Sequence, residues 1–458
     1  MQKQAIISPT YRFMKKQMIN IVLISLTAAL GGLLFGFDFA IFAGTIPFLK
    51  PAFNLTDAQL GWTSSSIYMG CIAGSLSTGY LADRFGRQLP LVISAAIFAV
   101  SAVMMGWSGS YNIFIAWRII AGIGMGAASM LSPLYIAEIS PPSIRGKMVS
   151  LNQFTIVTGI LLAYLTSYLL SGYPNNWRWM FSSAAVPATI FFLSAIALPE
   201  SPRWLVVKGG LQKGRKTLYH LMAQDEAEKE IVAIRSSIHA GTNSSFRNLF
   251  SKDIARIVMI GMAVAVFQQI SGANIVFAYA PLIFEKAGMD VSNQLFQQIL
   301  IGFVNLLFTV LAMQIIDKTG RRKMMTAGAL GMCLLLLLIS SAFYFNWLDG
   351  PWLSLFTLLF IAVYATTLAP VTWVLIAEIF PNRVRGMAMS AATTMLWLAC
   401  FGVAYIFPIL IGHFKQNVYI SFLIFAGICF IYFIFLLQNV PETKNKSLEQ
   451  IEKEFLNR

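Results

Sequence analysis

The sequence predicts an all-α polytopic membrane protein, with twelve spans in two similar six-helix halves and a polar helical segment between them. Composition is the first reason. Of 458 residues, 57% are hydrophobic and 11% are charged, whereas a soluble chain carries about 25% charged residues. Apolar length is the second: runs near the ~20 residues that a helical span needs recur along the whole chain. Internal repetition is the third, because the same motifs return in the same order in both halves.

The elements follow in order. The first apolar run, 18–46, is interrupted by one carboxylate, Asp38 in GGLLFGFDFA. Runs 60–81 and 89–107 come next, separated by the charged loop ADRFGRQ. Run 112–135 holds Arg118 and the small-residue stretch GIGMG at 122–126. No strand precedes that stretch and no Lys follows it, so it reads as close helix packing and not as a nucleotide loop. Runs 149–171 and 178–198 complete the first half. Residues 199–254 are polar and of mixed charge, and GRKTLYHLMAQDEAEKEIVAIRSSIHAG has helical periodicity. They predict short cytoplasmic helices jointed at Gly209-Gly210 and at 243–245. Runs 255–284, 294–316, 324–345, 352–377, 387–411 and 418–439 form the second half. The expected divisions are 1–198, 199–254, 255–440 and a cytoplasmic tail, 441–458. All twelve runs are apolar on every side, which excludes surface helices of a soluble fold.

The net charge of +14 does not indicate nucleic acid. Four Lys and Arg (Lys50, Arg178, Lys286 and Lys415) fall in loops on one side, and Arg118 lies within a span. The rest of the 33 gather on the other side with both termini. This is the positive-inside pattern. It predicts cytoplasmic termini in a plasma or inner membrane whose inner leaflet is anionic. The run after Lys16 is too long for a cleavable signal. Cys71, Cys333, Cys400 and Cys429 lie in apolar runs without metal-ligand spacing, so they predict buried, inert thiols with neither disulfide nor metal. No cofactor is expected, and no span holds the constellation of an enzyme.

The repeat is specific. YIAEISPPSIRGK at 135–147 returns as LIAEIFPNRVRGM at 375–387, which aligns Glu138 with Glu378 and Arg145 with Arg385. ADRFGRQ returns as IDKTGRRK, placing Arg87 opposite Arg321, and PESPRWL, with Glu200, has an echo in PETKNKSL. Parallel six-span repeats are a transporter plan, with substrate held near the midplane between the halves. The repeated acids and arginines predict pairs that form across the halves when the inner side closes. At a water-exposed surface each pair is worth about 0–1 kcal/mol, which suits a reversible latch. Topology signalling by positive charge is the alternative, but topology does not need the acids.

These motifs, with RIIAGIGMGAASMLSPLYIAEISPPSIRG, FQQISGANIVFAYAP, WVLIAEIFPNRVRG and PETKNKSLEQIE, resemble the sugar porter family of the major facilitator superfamily over nearly the whole chain. The resemblance implies the major facilitator fold and uptake of a monosaccharide or related polyol by proton symport, with passive facilitation as the alternative. Gln268, Gln269 and Asn274 sit in one span around Gly272, which permits local unwinding toward a cavity. Their amides offer donors and acceptors, as a polyol does. The resemblance assigns these three to sugar binding together with Gln153, Asn305, Trp373 and Trp397, adds Phe35 as a cavity wall, and makes Tyr279 a gate. Ile160, Leu396, Cys400 and Ala278 depart from the symporter pattern. They leave open a differently oriented sugar, a deoxy sugar or a cyclitol. Interhelical glue is the alternative reading of the amides.

Asp38 lies about 18 Å below Lys50 by helix rise, and Arg118 about 10 Å below Tyr111. Burial opposes carboxylate ionisation and a nearby guanidinium favours it. A static Asp38–Arg118 bridge, direct substrate contact and a proton-loading site are the three readings, and symporters of the family carry Asp at this position. A sensor and a channel are disfavoured, since the tail is short and no repeated polar ring is evident. The expected partners are substrate, protons and lipid, for a monomer.

Overall fold

The fold was described from a computed structural model. It describes residues 9–141, 144–240, 252–347, 351–380, 385–414 and 417–444. The joint at 243–245, the Arg385 side chain and the tail beyond 444 lie outside the described residues.

The first half comprises α1 (Pro9–Ala52), α2 (Asp57–Phe85), α3 (Gln88–Gly106), α4 (Tyr111–Ile139), α5 (Arg145–Leu170), α6 (Asn176–Ser183) and α7 (Ala185–Ile196). Below it lie α8 (Pro202–Trp204), extended by a π turn to Gly209, then α9 (Leu211–Leu221) and α10 (Gln224–Ala240). The second half comprises α11 (Lys252–Ile270), α12 (Ala273–Lys286), α13 (Val291–Thr319), α14 (Arg321–Tyr344), α15 (Trp352–Thr366), α16 (Leu368–Ile379), α17 (Arg385–His413) and α18 (Val418–Asn439).

Among the described residues, eleven helical stretches are long and apolar enough to cross a membrane. They match the expected runs except 60–81. There the helix exists as α2, but its many Ser, Thr and Gly residues hold its hydropathy down. Those small residues instead let α2 pack closely on α4 and α17. A Cβ on Gly122 would meet the carbonyl of Ile67, and one on Gly126 that of Cys71. Packing by small residues is thus the role of GIGMG.

Local chemistry sets the ends. Thr56 and Gln59 form a capping box at the start of α2. Ser110 and Asp290 accept backbone N–H bonds at the starts of α4 and α13. Each satisfies donors that a helix start leaves unpaired. The long run 255–284 breaks at Ser271-Gly272, where Gly272 adopts φ +96°, a conformation that glycine takes without steric cost.

The described contacts between the halves gather at one end and around the middle. A Cβ on Gly61 would meet the Tyr405 carbonyl. The Trp62 and Phe401 rings lie 6.3 Å apart, and Tyr164 Oη donates to the Phe277 carbonyl at 2.8 Å. Toward the Glu138 and Glu378 end, Trp373 is 37% exposed. The polar segment folds as expected where it is described. Leu218, Met222, Ala227 and Ile231 form its own small core, and the Gln17 amide in α1 donates to the carbonyls of Tyr219 and Met222 at 3.2 and 3.0 Å.

Candidate functional site

The break at Gly272 turns three amides into one chain. Gln268 Nε2 donates to Tyr364 Oη at 2.6 Å, Gln269 Nε2 donates to Gln268 Oε1, and Asn274 Nδ2 donates to Gln269 Oε1. Cys400 Sγ donates to that same Gln269 oxygen at 3.1 Å. Cys400 is therefore not an inert apolar filler: its thiol supplies a weak donor to the cluster. Gln268 and Gln269 are buried, and Asn274 is half-buried.

Beside the amides stands an aromatic frame. Trp397 meets Phe35 edge-on at 5.6 Å and stacks on Tyr68 at 5.9 Å. Phe277 lies 6.4 Å from Phe39 and 6.0 Å from Tyr364. Trp397 Nε1 is buried and has no protein partner. A buried donor without a partner is costly, about 1–3 kcal/mol. Gln153 and Trp373 are more open, and Asn305 is buried. Among the described residues, none of these three hydrogen bonds with the amide chain. Their helices nevertheless meet, since α13 packs against both α5 and α16. Tyr279 packs against α17: its hydroxyl donates to the Ala404 carbonyl at 2.5 Å, and its ring lies 5.4 Å from Phe407.

Asp38 is wholly buried, and neither of its oxygens has a protein partner. The direct Asp38–Arg118 bridge considered from sequence is absent, with no cation within 4.0 Å of the carboxylate among the described residues. The guanidinium is held elsewhere. Arg118 Nε donates to the Thr63 carbonyl at 2.9 Å, and its guanidinium carbon lies 4.6 Å from the Phe42 ring centre and 5.8 Å from that of Phe181. Between Asp38 and Arg118 is a cavity of about 10 Å³, also walled by Phe35, Tyr68 and Ala278. That volume is close to the least that one water needs. Phe35 and Tyr68 are thus shared walls, touching Trp397 on one side and the Asp38 cavity on the other. Ala278 brings α12, the helix of Asn274, to the same cavity.

The charged motifs form two matching clusters at the other end. Arg87 binds Glu138 through Nε at 3.0 Å and Nη2 at 3.1 Å, and Ser201 donates to Glu138 at 2.5 Å. Arg321 Nη2 lies 3.1 Å from Glu378, and Thr443 donates to Glu378 at 2.6 Å. Glu200 accepts from the backbone N–H groups of Arg87 and Gln88 at 2.7 and 3.3 Å, as Glu442 does from Arg321 at 2.9 Å. Gly86 and Gly320, at φ +90° and +103°, leave room for those carboxylates. These pairs lie within a half, where the neighbouring loop brings each glutamate to an arginine; the expected pairing across the halves belongs to the state in which the inner side is closed. Nor are they all weak surface pairs. The Arg87 and Glu138 side chains are only 10% and 5% exposed. Arg145 instead reaches Glu230 of α10 at 3.0 Å.

Tyr364, Tyr68 and Glu230 were not singled out from sequence. Tyr364 and Tyr68 lie in apolar runs, where a tyrosine reads as ordinary packing, and Glu230 lies in a helix rich in charge.

The family model described as "Sugar (and other) transporter" matches residues 24–455. The chain is 37% identical to the arabinose-proton symporter of Bacillus subtilis over 440 residues, covering 94% of each chain. It is also 37% identical to the D-xylose-proton symporter of Escherichia coli, again over 94% of each. The inward-open structure of the xylose transporter XylE from E. coli superposes with a TM-score of 0.83 at 36% identity, over 95% of this chain and 99% of that one. A match of this extent identifies the chain as a member of the sugar (and other) transporter family, a multi-pass membrane protein with the major facilitator fold.

Proposed function

We propose that the protein takes up a monosaccharide or related polyol by proton symport, with both termini cytoplasmic. The observation that carries this reading is the wholly buried, unpartnered Asp38 carboxylate in a cavity that shares Phe35 and Tyr68 with the Trp397 frame. A charge isolated from water favours its protonated form, and an approaching guanidinium favours the ionised form. The present geometry is the separated one. When substrate draws α12 and α17 toward the first half, Phe35, Tyr68 and Ala278 transmit the movement to the Asp38 cavity. Arg118 can then approach or leave the carboxylate, so that one proton is loaded and released per cycle.

The amide chain and Trp397 Nε1 receive the hydroxyls of the substrate, and Phe35 and Trp397 present faces to its apolar side. Gln153, Asn305 and Trp373 complete the lining on this reading. The Gly61/Tyr405 end is then outside, and the Arg–Glu clusters lie at the cytoplasmic face. Arg87, Glu138, Arg321 and Glu378 lock each half as a rigid unit, and Tyr279 serves as the outer gate. The protein acts as a monomer in the lipid bilayer, with 199–254 as its intracellular segment.

Uptake of labelled arabinose, xylose and a cyclitol panel into proteoliposomes, with and without an inward pH gradient, tests the reading. Symport predicts accumulation above equilibrium that a protonophore abolishes, with alkalinisation of the medium on sugar addition. Uptake that only equilibrates and ignores the protonophore would establish the passive facilitator instead.

A further inference from the structure

An open cavity of about 480 Å³ lies between the Asn20–Ile24 stretch of α1, the end of the sixth span and the polar helix α9. Its size is within the ordinary range for small-ligand sites, roughly 300–1,000 Å³. The lining is divided. Leu23, Ile24 and Leu221 give one apolar side, while Asn20, Lys216 and His220 give a polar, cationic side. Leu23 and Ile24 lie within the stretch of α1 that is apolar enough to span a membrane. Next to them, Met18, Ile19, Val22 and Leu26 are exposed apolar residues on the same helix. The cavity therefore straddles the level at which hydrocarbon gives way to headgroups.

The cation at this site is uncommitted. Arg215, one residue before Lys216, pairs with Glu228 at 2.8 Å. Lys216 is exposed and has no carboxylate partner among the described residues. The α9 helix is also fixed in place. Gly214, Leu218 and Leu221 are its buried face, and Gln17 ties its C-terminal end to α1.

We propose that this cavity is a binding site for an anionic phospholipid, with the phosphate on Lys216, the glycerol region beside Asn20 and His220, and the first methylenes on Leu23, Ile24 and Leu221. Basic pockets beside spans on the cytoplasmic side select anionic headgroups in this manner. The assignment to the inner leaflet rests on the orientation proposed above, but the binding chemistry does not. A bound lipid braces α9 against α1. It also braces α10, whose Glu230 holds Arg145 at the start of α5. The intracellular helices would then be clamped to the first half by a component of the membrane.

The test uses the full chain in detergent, where sidedness plays no part, so a wrong orientation would not mimic a wrong site. The protein is titrated with dioleoyl phosphatidylglycerol, dioleoyl phosphatidylcholine or inorganic phosphate. Bound lipid is counted by native mass spectrometry, and thermal unfolding is followed in parallel. The first phosphatidylglycerol should bind Lys216→Gln about fivefold more weakly than wild type, the contribution of one lysine to anionic-lipid attraction. Lys216→Arg and Lys213→Gln should bind as wild type does, the latter because Lys213 is exposed on α9 outside the cavity. Phosphatidylcholine should bind wild type more weakly than phosphatidylglycerol, and phosphate alone should not raise the unfolding temperature. Equal phosphatidylglycerol binding by wild type and Lys216→Gln would overturn the proposal. So would an equal loss in Lys213→Gln, equal binding of phosphatidylcholine, or stabilisation by phosphate alone.

Discussion

Replacing Gln268 by Ala asks whether the amide chain binds substrate or holds helices together. The side chain makes two bonds that the structure defines: it donates to Tyr364 Oη at 2.6 Å and accepts from Gln269 Nε2. Truncation leaves the Tyr364 hydroxyl and the Gln269 amide short of a partner, in a region where both residues are at most 7% exposed. Each unpaired buried group costs about 1–3 kcal/mol. If the amides receive substrate hydroxyls, one such loss falls on binding, which weakens by about 5- to 150-fold. Tyr364→Phe is the control. It removes the hydroxyl that holds Gln268 and keeps both the ring and the amide, so it should weaken binding less than Gln268→Ala while lowering stability similarly. The assay is substrate-dependent quenching of tryptophan fluorescence, read beside thermal unfolding without substrate. Unchanged affinity in Gln268→Ala, with unfolding lowered as in Tyr364→Phe, would refute the binding role and leave interhelical glue.

Further outcomes follow from the charged groups at this end. Arg87→Gln leaves Glu138 without its bidentate partner at 5% exposure, and should destabilise the first half by about 3–5 kcal/mol in thermal unfolding; Arg145→Gln, at a pair 37% and 21% exposed, should cost less than about 1 kcal/mol and show mainly as faster hydrogen exchange in α10. Gly86→Ala forces a side chain into φ +90°, ψ −176° and against the Glu200 carboxylate, and should destabilise by about 1–3 kcal/mol from backbone strain alone, whereas Gly79→Ala, with open space around it, should not. Hydrogen bonds from Tyr219 and then Arg215 hold the Glu228 carboxyl below the usual glutamate range. A lowered acid contributes stability above its unfolded value, about 4.3, and loses it as pH falls through the folded value, so hydrogen exchange in α9 and α10 should rise below that pH in wild type and not in Glu228→Gln.

Much of the fold was legible because lipid imposes a simple rule: a span must be long and apolar, so its bounds appear in the sequence. The run 255–284 could even be read for its break, because Gly272 sits between amides that have no reason to face lipid. The α2 helix was legible as a span although its serines and glycines lower its hydropathy; those same residues set its close approach to α4. The Arg–Glu pairs were legible as residues but not as partners. Sequence shows that Arg87 and Glu138 recur as Arg321 and Glu378, yet which acid meets which arginine depends on loop paths within each half. Asp38 and Arg118 were legible as the two charges within the spans. Their separation was not, because the hold on Arg118 comes from a backbone carbonyl and two phenyl faces that any apolar helix could supply. Tyr364, which bonds to the site, and Tyr68, which stacks on it, were hidden for the opposite reason, since tyrosine is also an ordinary packing residue.

Asp38→Asn tests the central claim most directly. The change keeps the shape of the side chain and fixes it in a neutral form. Two rates are measured in the same proteoliposomes: exchange of labelled against unlabelled sugar, and accumulation driven by an inward proton gradient. The account predicts that exchange persists near the wild-type rate while gradient-driven accumulation is lost. A parallel fall of both rates, or accumulation that survives in Asp38→Asn, would contradict the assignment of Asp38 as the proton-coupling carboxylate.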